Sequence, residues 1–412
     1  MSIRKRTWTT SKGEAKTSWV VDYVDGKGTR RLKTFAKKKE ADQFAATAKV
    51  EVREGVHVAD SASATVTKAA EGWLTHCADK GLERGTLVQY RQLKALHVDP
   101  YIGAEKLTSL TVARIRSFET DLREAGRSAS MIRKVLVALS SILADAQESG
   151  LVGRNVARDM KARRSKGGER RQERRHRGRL TVGADIPAPE EIKAIVGALA
   201  GRWRPLLLTA IFTGLRASEL RGLRWVDVDL DRRSVHVRQR ADRFNEIGPP
   251  KSEAGEREVP LPPIVVNTLR EWKLVCPRRD TGKVDVAGEP ITALDLVFPN
   301  LRGNVEAVGN IVRRGLQPAQ VKAGVTIDTG KVNDKGEPIL AAKYPGLHAL
   351  RHFYASWCIN RPADGGLGLP IKVVQERLGH SSIILTSDRY GHLFPRGDDE
   401  AEMAAAERSL LS

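Results

Sequence analysis

Three short patterns in the second half of the chain carry residues able to act on a phosphate ester. The first is Thr213-Gly214-Leu215-Arg216-Ala217-Ser218-Glu219-Leu220. The second is His348-Ala349-Leu350-Arg351-His352. The third is Leu378-Gly379-His380-Ser381-Ser382, followed by Tyr390 in Asp388-Arg389-Tyr390-Gly391-His392. Breaking a phosphodiester without a metal requires an oxygen nucleophile, fixed positive charge on the non-bridging oxygens and an acid for the departing oxygen. Tyr390 can attack phosphorus, and a covalent intermediate stores the energy of the broken bond, so rejoining needs no nucleoside triphosphate; consistently, the chain has no GxxxxGK[ST] loop. Arg216 and Arg351 suit the phosphate, because a guanidinium offers a planar fork to two oxygens and keeps its charge. His348, Arg351 and His352 stand at i, i+3 and i+4, a spacing that places them on one face of a helix.

Composition narrows the partner. The 412 residues include 70 Lys and Arg against 50 Asp and Glu, a net charge of +20, and 41% are hydrophobic. That supports real cores in two or three domains, with a polyanion such as nucleic acid as the natural partner. Part of the excess is concentrated in residues 161–179, where ten basic residues meet two acidic ones and almost no apolar side chain. Such a run reads as a linker that lies on phosphates. Cys77, Cys276 and Cys358 are far apart, which excludes a disulfide framework or a CxxC zinc ribbon. Neither a metal nor another cofactor is expected. The chain lacks a run of about 18 apolar residues, and its basic first residues lack the apolar segment of a secretory signal. No membrane association and a cytoplasmic location are therefore expected.

Pattern then places the elements. Residues 18–24 and 30–35 read as two strands around the turn Asp25-Gly26-Lys27-Gly28, followed by a helix over 36–54. Four helices follow, over 65–77, 84–96, 111–124 and 128–149, the last with Ile132, Val135, Leu136, Leu139, Ile142 and Leu143 at helical spacing. Beyond residue 187, helices are expected at 189–200, 205–213, 215–223, 262–274, 304–323, 347–360, 370–378 and 382–390. Strands are expected at 233–240 and 257–261. Residues 324–343 and 361–370 read as surface insertions. No 20–50-residue repeat is expected.

The motifs, taken in order, resemble those of the tyrosine recombinase (phage integrase) family, in particular a temperate-phage integrase with an N-terminal arm-type DNA-binding domain. The family's set of Arg, Lys, His, Arg, His or Trp, and Tyr matches Arg216, Lys251, His348, Arg351, His380 and Tyr390. The resemblance implies that Tyr390 forms a 3′-phosphotyrosine and frees a 5′-hydroxyl. It implies that Lys251, in a β-hairpin turn, protonates the leaving oxygen, with Lys273 and Lys283 as nearby substitutes. It also implies that His348 and Arg351 face the phosphate and that His380 bonds the phosphate or positions the tyrosine. Glu219 would hold Arg216, and His352 would support its helix. The implied fold is multidomain. A small α+β arm-type module spans 1–60, an all-α four-helix core-binding domain 65–160, and a basic linker 161–186. A mainly α catalytic domain with a small antiparallel sheet spans 187–395, and a tail helix lies within 396–412.

The implied activity is site-specific recombination that integrates and excises phage or mobile-element DNA. The implied partners are double-stranded DNA at core and arm-type attachment sites, three further copies of the chain in a tetramer, a host DNA-bending protein and an excisionase, with a nucleoid location in a bacterial host. Two alternatives differ in class or biology: a resident recombinase that resolves chromosome or plasmid dimers, and a catalytically silent architectural DNA-binding protein. A type IB topoisomerase fits the motif order less well. The first 60 residues discriminate the resident recombinase, since such relatives usually lack that module.

Overall fold

A computed structural model describes residues 1–9, 15–26, 28–162, 179–284, 290–395 and 399–412. The fold is mainly helical with small antiparallel sheets. The chain divides into two compact units, Met1–Gly168 and Glu169–Ser412. Most of the basic run at 161–179 lies outside the described residues.

The first unit holds two hydrophobic clusters. The smaller belongs to a three-stranded antiparallel sheet, β1 (Ser2–Thr9), β2 (Ala15–Val24) and β3 (Arg30–Phe35), covered by helix α1 (Lys38–Arg53). Val21, Tyr23, Ala41 and Ala45 are buried there, with Trp19, Phe35 and Phe44 packed around them. The sequence pattern had suggested two strands. The third, β1, pairs with β2 along its whole length from Ser2↔Asp22 to Thr9↔Ala15, and most of its side chains are exposed, which removes the alternation that marks a strand.

The larger cluster lies among helices α2 (Val66–Asp79), α3 (Arg84–Leu93), α4 (Asp99–Ile102), α5 (Val112–Glu124), α6 (Ala129–Glu148) and α7 (Val156–Ala162). Three of these start on hydroxyl caps: Thr65 Oγ1, Thr111 Oγ1 and Ser128 Oγ accept from the backbone N–H of Lys68, Arg114 and Met131. α6 buries Ile132, Val135, Leu136, Leu139, Ile142 and Leu143, the stripe read from its sequence. The short α4 and α7 were not foreseen; four residues and seven are too few for a helical period to show.

In the second unit, the helices α8 (Pro189–Ala198), α9 (Trp203–Thr213), α10 (Ala217–Gly222), α11 (Pro263–Val275), α12 (Val308–Asn310), α13 (Gln317–Lys322), α14 (His348–Ile359), α15 (Ile371–Leu378) and α16 (Ile383–Tyr390) account for most of the fold. α9 is apolar on nearly every side and runs through the centre, packed on α11 and α14. Strands β4 (Val228–Asp229), β5 (Ser234–Val237) and β8 (Arg257–Pro260) form one sheet, and β6 (Arg240–Ala241) and β7 (Ile247–Gly248) a second. β5 and β8 pair antiparallel from Ser234↔Pro260 to Val237↔Arg257. The C-terminal helix is α17 (Asp399–Leu411).

Two further hairpins stand on the surface: β9 (Arg279–Val284) with β10 (Pro290–Ala293), and β11 (Thr326–Val332) with β12 (Pro338–Ala342). They are near-copies, which corrects the expectation of no 20–50-residue repeat. Asp-Thr-Gly-Lys-Val occurs at 280–284 and again at 328–332, and Gly-Glu-Pro-Ile at 288–291 and 336–339, both 48 residues apart. The geometry repeats as well. Thr281 Oγ1 donates to the Ile291 carbonyl at 2.6 Å and Thr329 Oγ1 to that of Ile339 at 2.7 Å. The backbone N–H groups of Gly282 and Gly330 each donate to the aspartate two residues before, at 2.8 Å. The segment 361–370, expected as a surface insertion, is tied back to α14: Leu367 and Leu369 donate to the Trp357 and Cys358 carbonyls, and their side chains pack against the core.

Removing one of the hydroxyl caps tests how far local signals set the helical cluster. Ser128→Ala should destabilise the chain by about 1 kcal/mol, seen as a lower urea midpoint with an unchanged m-value.

Candidate active site

The site starts from a turn that only glycine accommodates. α9 ends at Thr213, and Gly214 adopts φ 61°. A Cβ there would lie 2.4 Å from the Tyr354 ring, so both the left-handed backbone and the close packing exclude a side chain. The chain then extends, and Arg216 becomes the N-cap of α10. Glu219, three residues on, turns back: its carboxylate accepts the Arg216 backbone N–H at 2.8 Å and Arg216 Nη1 at 2.7 Å.

The same carboxylate accepts Arg257 Nη2 at 2.9 Å. Glu219 is 3% exposed. Burial alone would raise its pKa, but the charges and hydrogen bonds of Arg257 and Arg216 outweigh that and hold it below the usual carboxylate range. Arg257 lies on β8, on the face of the strand that also carries the buried Val259. Its Nε donates to the Arg377 carbonyl at 2.7 Å, near the end of α15. One buried carboxylate thus joins the start of α10, the sheet and, through Arg257, the end of α15.

The end of α15 needs a second such glycine. Gly379 takes φ 64°, ψ 46°, and a Cβ there would lie 2.8 Å from both the Ala254 carbonyl oxygen and Arg257 Nη1. Its own carbonyl accepts Arg216 Nη2 at 2.9 Å. Arg351, on α14 and 2% exposed, donates to the carbonyls of Gly214 at 2.6 Å and Leu378 at 2.5 Å. Burial, then the nearby Arg216 charge, pushes its pKa down to about 9, so it stays cationic at neutral pH.

Rings close the other side. Tyr390, the last residue of α16, is 1% exposed. Its hydroxyl shares a 2.7 Å hydrogen bond with His352 Nδ1. Burial raises its pKa against the opposing charges of Arg351, Arg389 and Arg216. His380 lies parallel to the Tyr390 ring at a centroid distance of 6.3 Å, and its Nδ1 is 2.9 Å from Thr386 Oγ1. His348 meets His352 edge-on at 4.4 Å. All three imidazoles are shifted toward the neutral form, first by loss of water. For His348 and His380 the next cause is the Arg351 charge; for His352 it is His348. His380 falls to about 4 and His352 to about 3.

The structure therefore brings Arg216, His348, Arg351, His352, His380 and Tyr390 together, with Glu219 behind Arg216. Lys251 is placed differently. It is exposed in the connection between β7 and β8, a loop whose far end, at Ala254 and Arg257, rests on Gly379. Lys273, on α11, has its ammonium 5.3 Å from the centre of the Trp225 ring, and Lys283 belongs to the repeated β9–β10 hairpin. Two residues escaped the motif reading. Arg257 is one; its signal was the alternation Arg257-Glu258-Val259, which puts a cation on a buried face. Arg389 is the other, an exposed cation beside Tyr390 whose charge acts on all three histidines. Among the described residues, no group of three His, Cys, Asp or Glu is placed to hold a metal ion, and no helix is long and apolar enough to cross a membrane.

The sequence model described as "Phage integrase family" matches residues 188–396. The chain belongs to this family. It is a site-specific DNA recombinase of the tyrosine class. A tyrosine recombinase XerC-like protein of Caldanaerobacter subterraneus is 25% identical over 365 residues, 84% of this chain and 83% of that one. A transposase from transposon Tn916 of Enterococcus faecalis is 30% identical over 191 residues, 45% of this chain and 41% of that one. Among solved structures, a Tn1549 transposon integrase in complex with a circular intermediate DNA aligns with a TM-score of 0.58 at 18% identity, covering 84% of this chain and 99% of that one. A lambda integrase tetramer bound to a Holliday junction aligns at 0.52 and 16%, covering 91% and 95%. These two likenesses establish the multidomain integrase fold.

In this recombinase Glu219 gives a direct handle on the arginines. Its carboxylate has a depressed folded pKa, so its contribution is complete above the unfolded value of 4.5 and is lost as pH falls through the lower folded value. Glu219→Gln should cost about 3 kcal/mol or less at pH 7, since Arg216 is partly solvated. Its melting temperature should lie several degrees below wild type at neutral pH, and the gap should close below about pH 4.5. A gap that is constant down to pH 3 would show that the carboxylate charge is not what binds the two arginines.

Proposed function

We propose that Tyr390 is the nucleophile of strand cleavage, attacking a DNA phosphorus held by Arg216 and Arg351 to give a 3′-phosphotyrosine and a free 5′-hydroxyl. The observation that carries this reading is the convergence of two guanidinium groups on the turn at Leu378–Gly379, with Tyr390 close enough to feel the charge of both. Charge that develops on the non-bridging oxygens would meet fixed cations whose orientation is already set. His348 and His380 face the same phosphate, and Glu219 keeps Arg216 in place. Lys251, on its exposed turn, reaches the departing oxygen once DNA is bound; a lysine on a loop can swing and adjust its pKa there.

The activity so assembled is integration and excision of a phage or other mobile element. The four domains and the basic linker follow the sequence boundaries 1–60, 65–160, 161–186, 187–395 and 396–412. The sheet-and-helix module of 1–60 holds arm-type sites while the rest holds the crossover site, a bivalent arrangement that raises the local concentration of one site at the other. A homotetramer on two duplexes, α17 as the element exchanged between neighbours, a host DNA-bending protein and an excisionase complete the reading, with action at the nucleoid.

A suicide substrate nicked beside the crossover site tests the chemistry. Wild type should accumulate a covalent protein–DNA adduct that Tyr390→Phe abolishes. Arg216→Ala and Arg351→Ala should lose cleavage by about 100-fold or more while still binding duplex. Lys251→Ala should fail on an ordinary phosphodiester but cleave a 5′-bridging phosphorothiolate, whose sulfur leaves without an acid. An adduct that persists in Tyr390→Phe would overturn the assignment.

Removing residues 1–60 tests the biology. Cleavage of an isolated core site should survive, and integration between two attachment sites should fall. Equal integration by the truncated chain would favour the resident-recombinase reading.

A further inference from the structure

The Tyr390 hydroxyl is already engaged in the protein alone. Its partner is Nδ1 of His352 at 2.7 Å, and the two residues are 1% and 7% exposed. A histidine that only braced α14 would have no need to aim a ring nitrogen at that oxygen. Neither of the other two histidines is arranged to do so: His380 lies flat alongside the Tyr390 ring and directs Nδ1 to Thr386, and His348 packs edge-on against His352.

We propose that His352 is the base that removes the phenolic proton as Tyr390 attacks. The inference rests on Tyr390 being the nucleophile. In the forward step the Tyr390 oxygen forms a bond to phosphorus and its proton passes to His352 Nδ1, while the bond from phosphorus to the 5′ oxygen breaks and that oxygen takes a proton from its acid. In rejoining, the 5′-hydroxyl returns its proton to the group that supplied it, attacks phosphorus and displaces the phenolate, which recovers its proton from His352. No oxidant, reductant or further reactant is involved. The proposed step requires the Nε2–H tautomer of resting His352, in which Nδ1 accepts.

The surroundings explain why this base is quiet until substrate arrives. His352 faces His348 and Arg351 from its own helix, Arg389 and Tyr390 from α16, and Asp185 from the segment before α8. Burial and the positive neighbours suppress its protonation, and Asp185 acts in the opposite direction. A phosphodiester seated against Arg216, Arg351 and Arg389 would bring one negative charge into that field and offset part of the suppression. The basicity needed for attack would then appear with the phosphate.

Two replacements separate a base from a mere positioner. His352→Asn places an amide oxygen near the position of Nδ1 and can still accept the tyrosine hydrogen bond, but it takes up no proton; His352→Gln does the same from a longer side chain. Single-turnover cleavage of the suicide substrate should slow by about 100-fold or more in both, with duplex binding and melting temperature close to wild type. Installing 3,5-difluorotyrosine at 390, whose phenol ionises more readily, should speed the two variants by a larger factor than it speeds wild type. Wild-type rates in His352→Asn, or an equal factor from the fluorinated phenol in all three proteins, would overturn the proposal.

If both variants melt early, the wild-type protein supplies the reading. On the 5′-phosphorothiolate substrate no acid is required, so slower cleavage in D2O reports the phenolic proton. That slowing should shrink with difluorotyrosine, and its absence would also overturn the proposal. The nucleophile assignment fails separately, on the Tyr390→Phe adduct.

Discussion

Guanidinium groups brought close together in a protein interior repel one another, and the active unit is organised around that constraint. Arg351 is almost fully buried, and Arg216 and Arg257 lie close enough to depress its pKa. Three sources of negative potential balance them. The Glu219 carboxylate sits between Arg216 and Arg257. The carbonyl of Leu378 is the last of α15, and those of Gly214 and Gly379 belong to the cap residues just past α9 and α15, close to helix ends where the dipole presents partial negative charge. The cations are thus anchored from behind by groups that cannot leave. Their remaining donor capacity suits an anion, the place proposed above for a DNA phosphate.

This arrangement depends on close backbone approach more than on side-chain fit. A helix end can offer its carbonyl to an arginine from another element only if the chain turns away at once, and Gly214 and Gly379 make those turns with a left-handed φ in places where a Cβ would collide. The glycines of the first and third motifs are therefore as much part of this cluster as the arginine and histidine beside them. The same closeness links distant parts of the sequence. Residues near 215, 257, 351 and 379 meet through hydrogen bonds to backbone, so a shift of any one helix end would be felt by both Arg216 and Arg351.

Much of this was legible in the sequence, and what was missed follows a physical rule. Arg216, His348, Arg351, His380 and Tyr390 were readable because each sits in a short motif with fixed local spacing. Arg257 was not, because its partner Glu219 is 38 residues away and its surroundings look like an ordinary amphipathic strand. The bond from His352 to Tyr390 was not foreseen, because helical spacing shows which face a residue shares but not which atom of another helix its ring will meet. β1 was invisible because nearly all of its side chains are wet. The twin hairpins escaped for another reason: each matching stretch is only four or five residues long, and the middles, 285–287 and 333–335, differ. Their equivalence becomes plain when the same threonine-to-carbonyl and glycine-to-aspartate bonds recur in both.

The contrast between fixed and movable parts argues for how catalysis would be timed. The arginines are locked by Glu219 and by helix-end carbonyls, yet α16, which carries Tyr390, buries only Thr386 and Tyr390 and leaves Ile383, Ile384 and Leu385 exposed. A helix held by so little apolar contact opens at low cost compared with the core around α9. Lys251 likewise sits on an exposed turn. The attacking oxygen and the proton donor of the proposed reaction lie on a helix with three exposed apolar residues and on an exposed turn, whereas the arginines proposed to hold the phosphate are tied to Glu219 and to backbone carbonyls. A nucleophile kept under cover by a neutral histidine, beside cations that await a phosphate, would be inert toward water and exposed to DNA only where the duplex itself completes the charge balance.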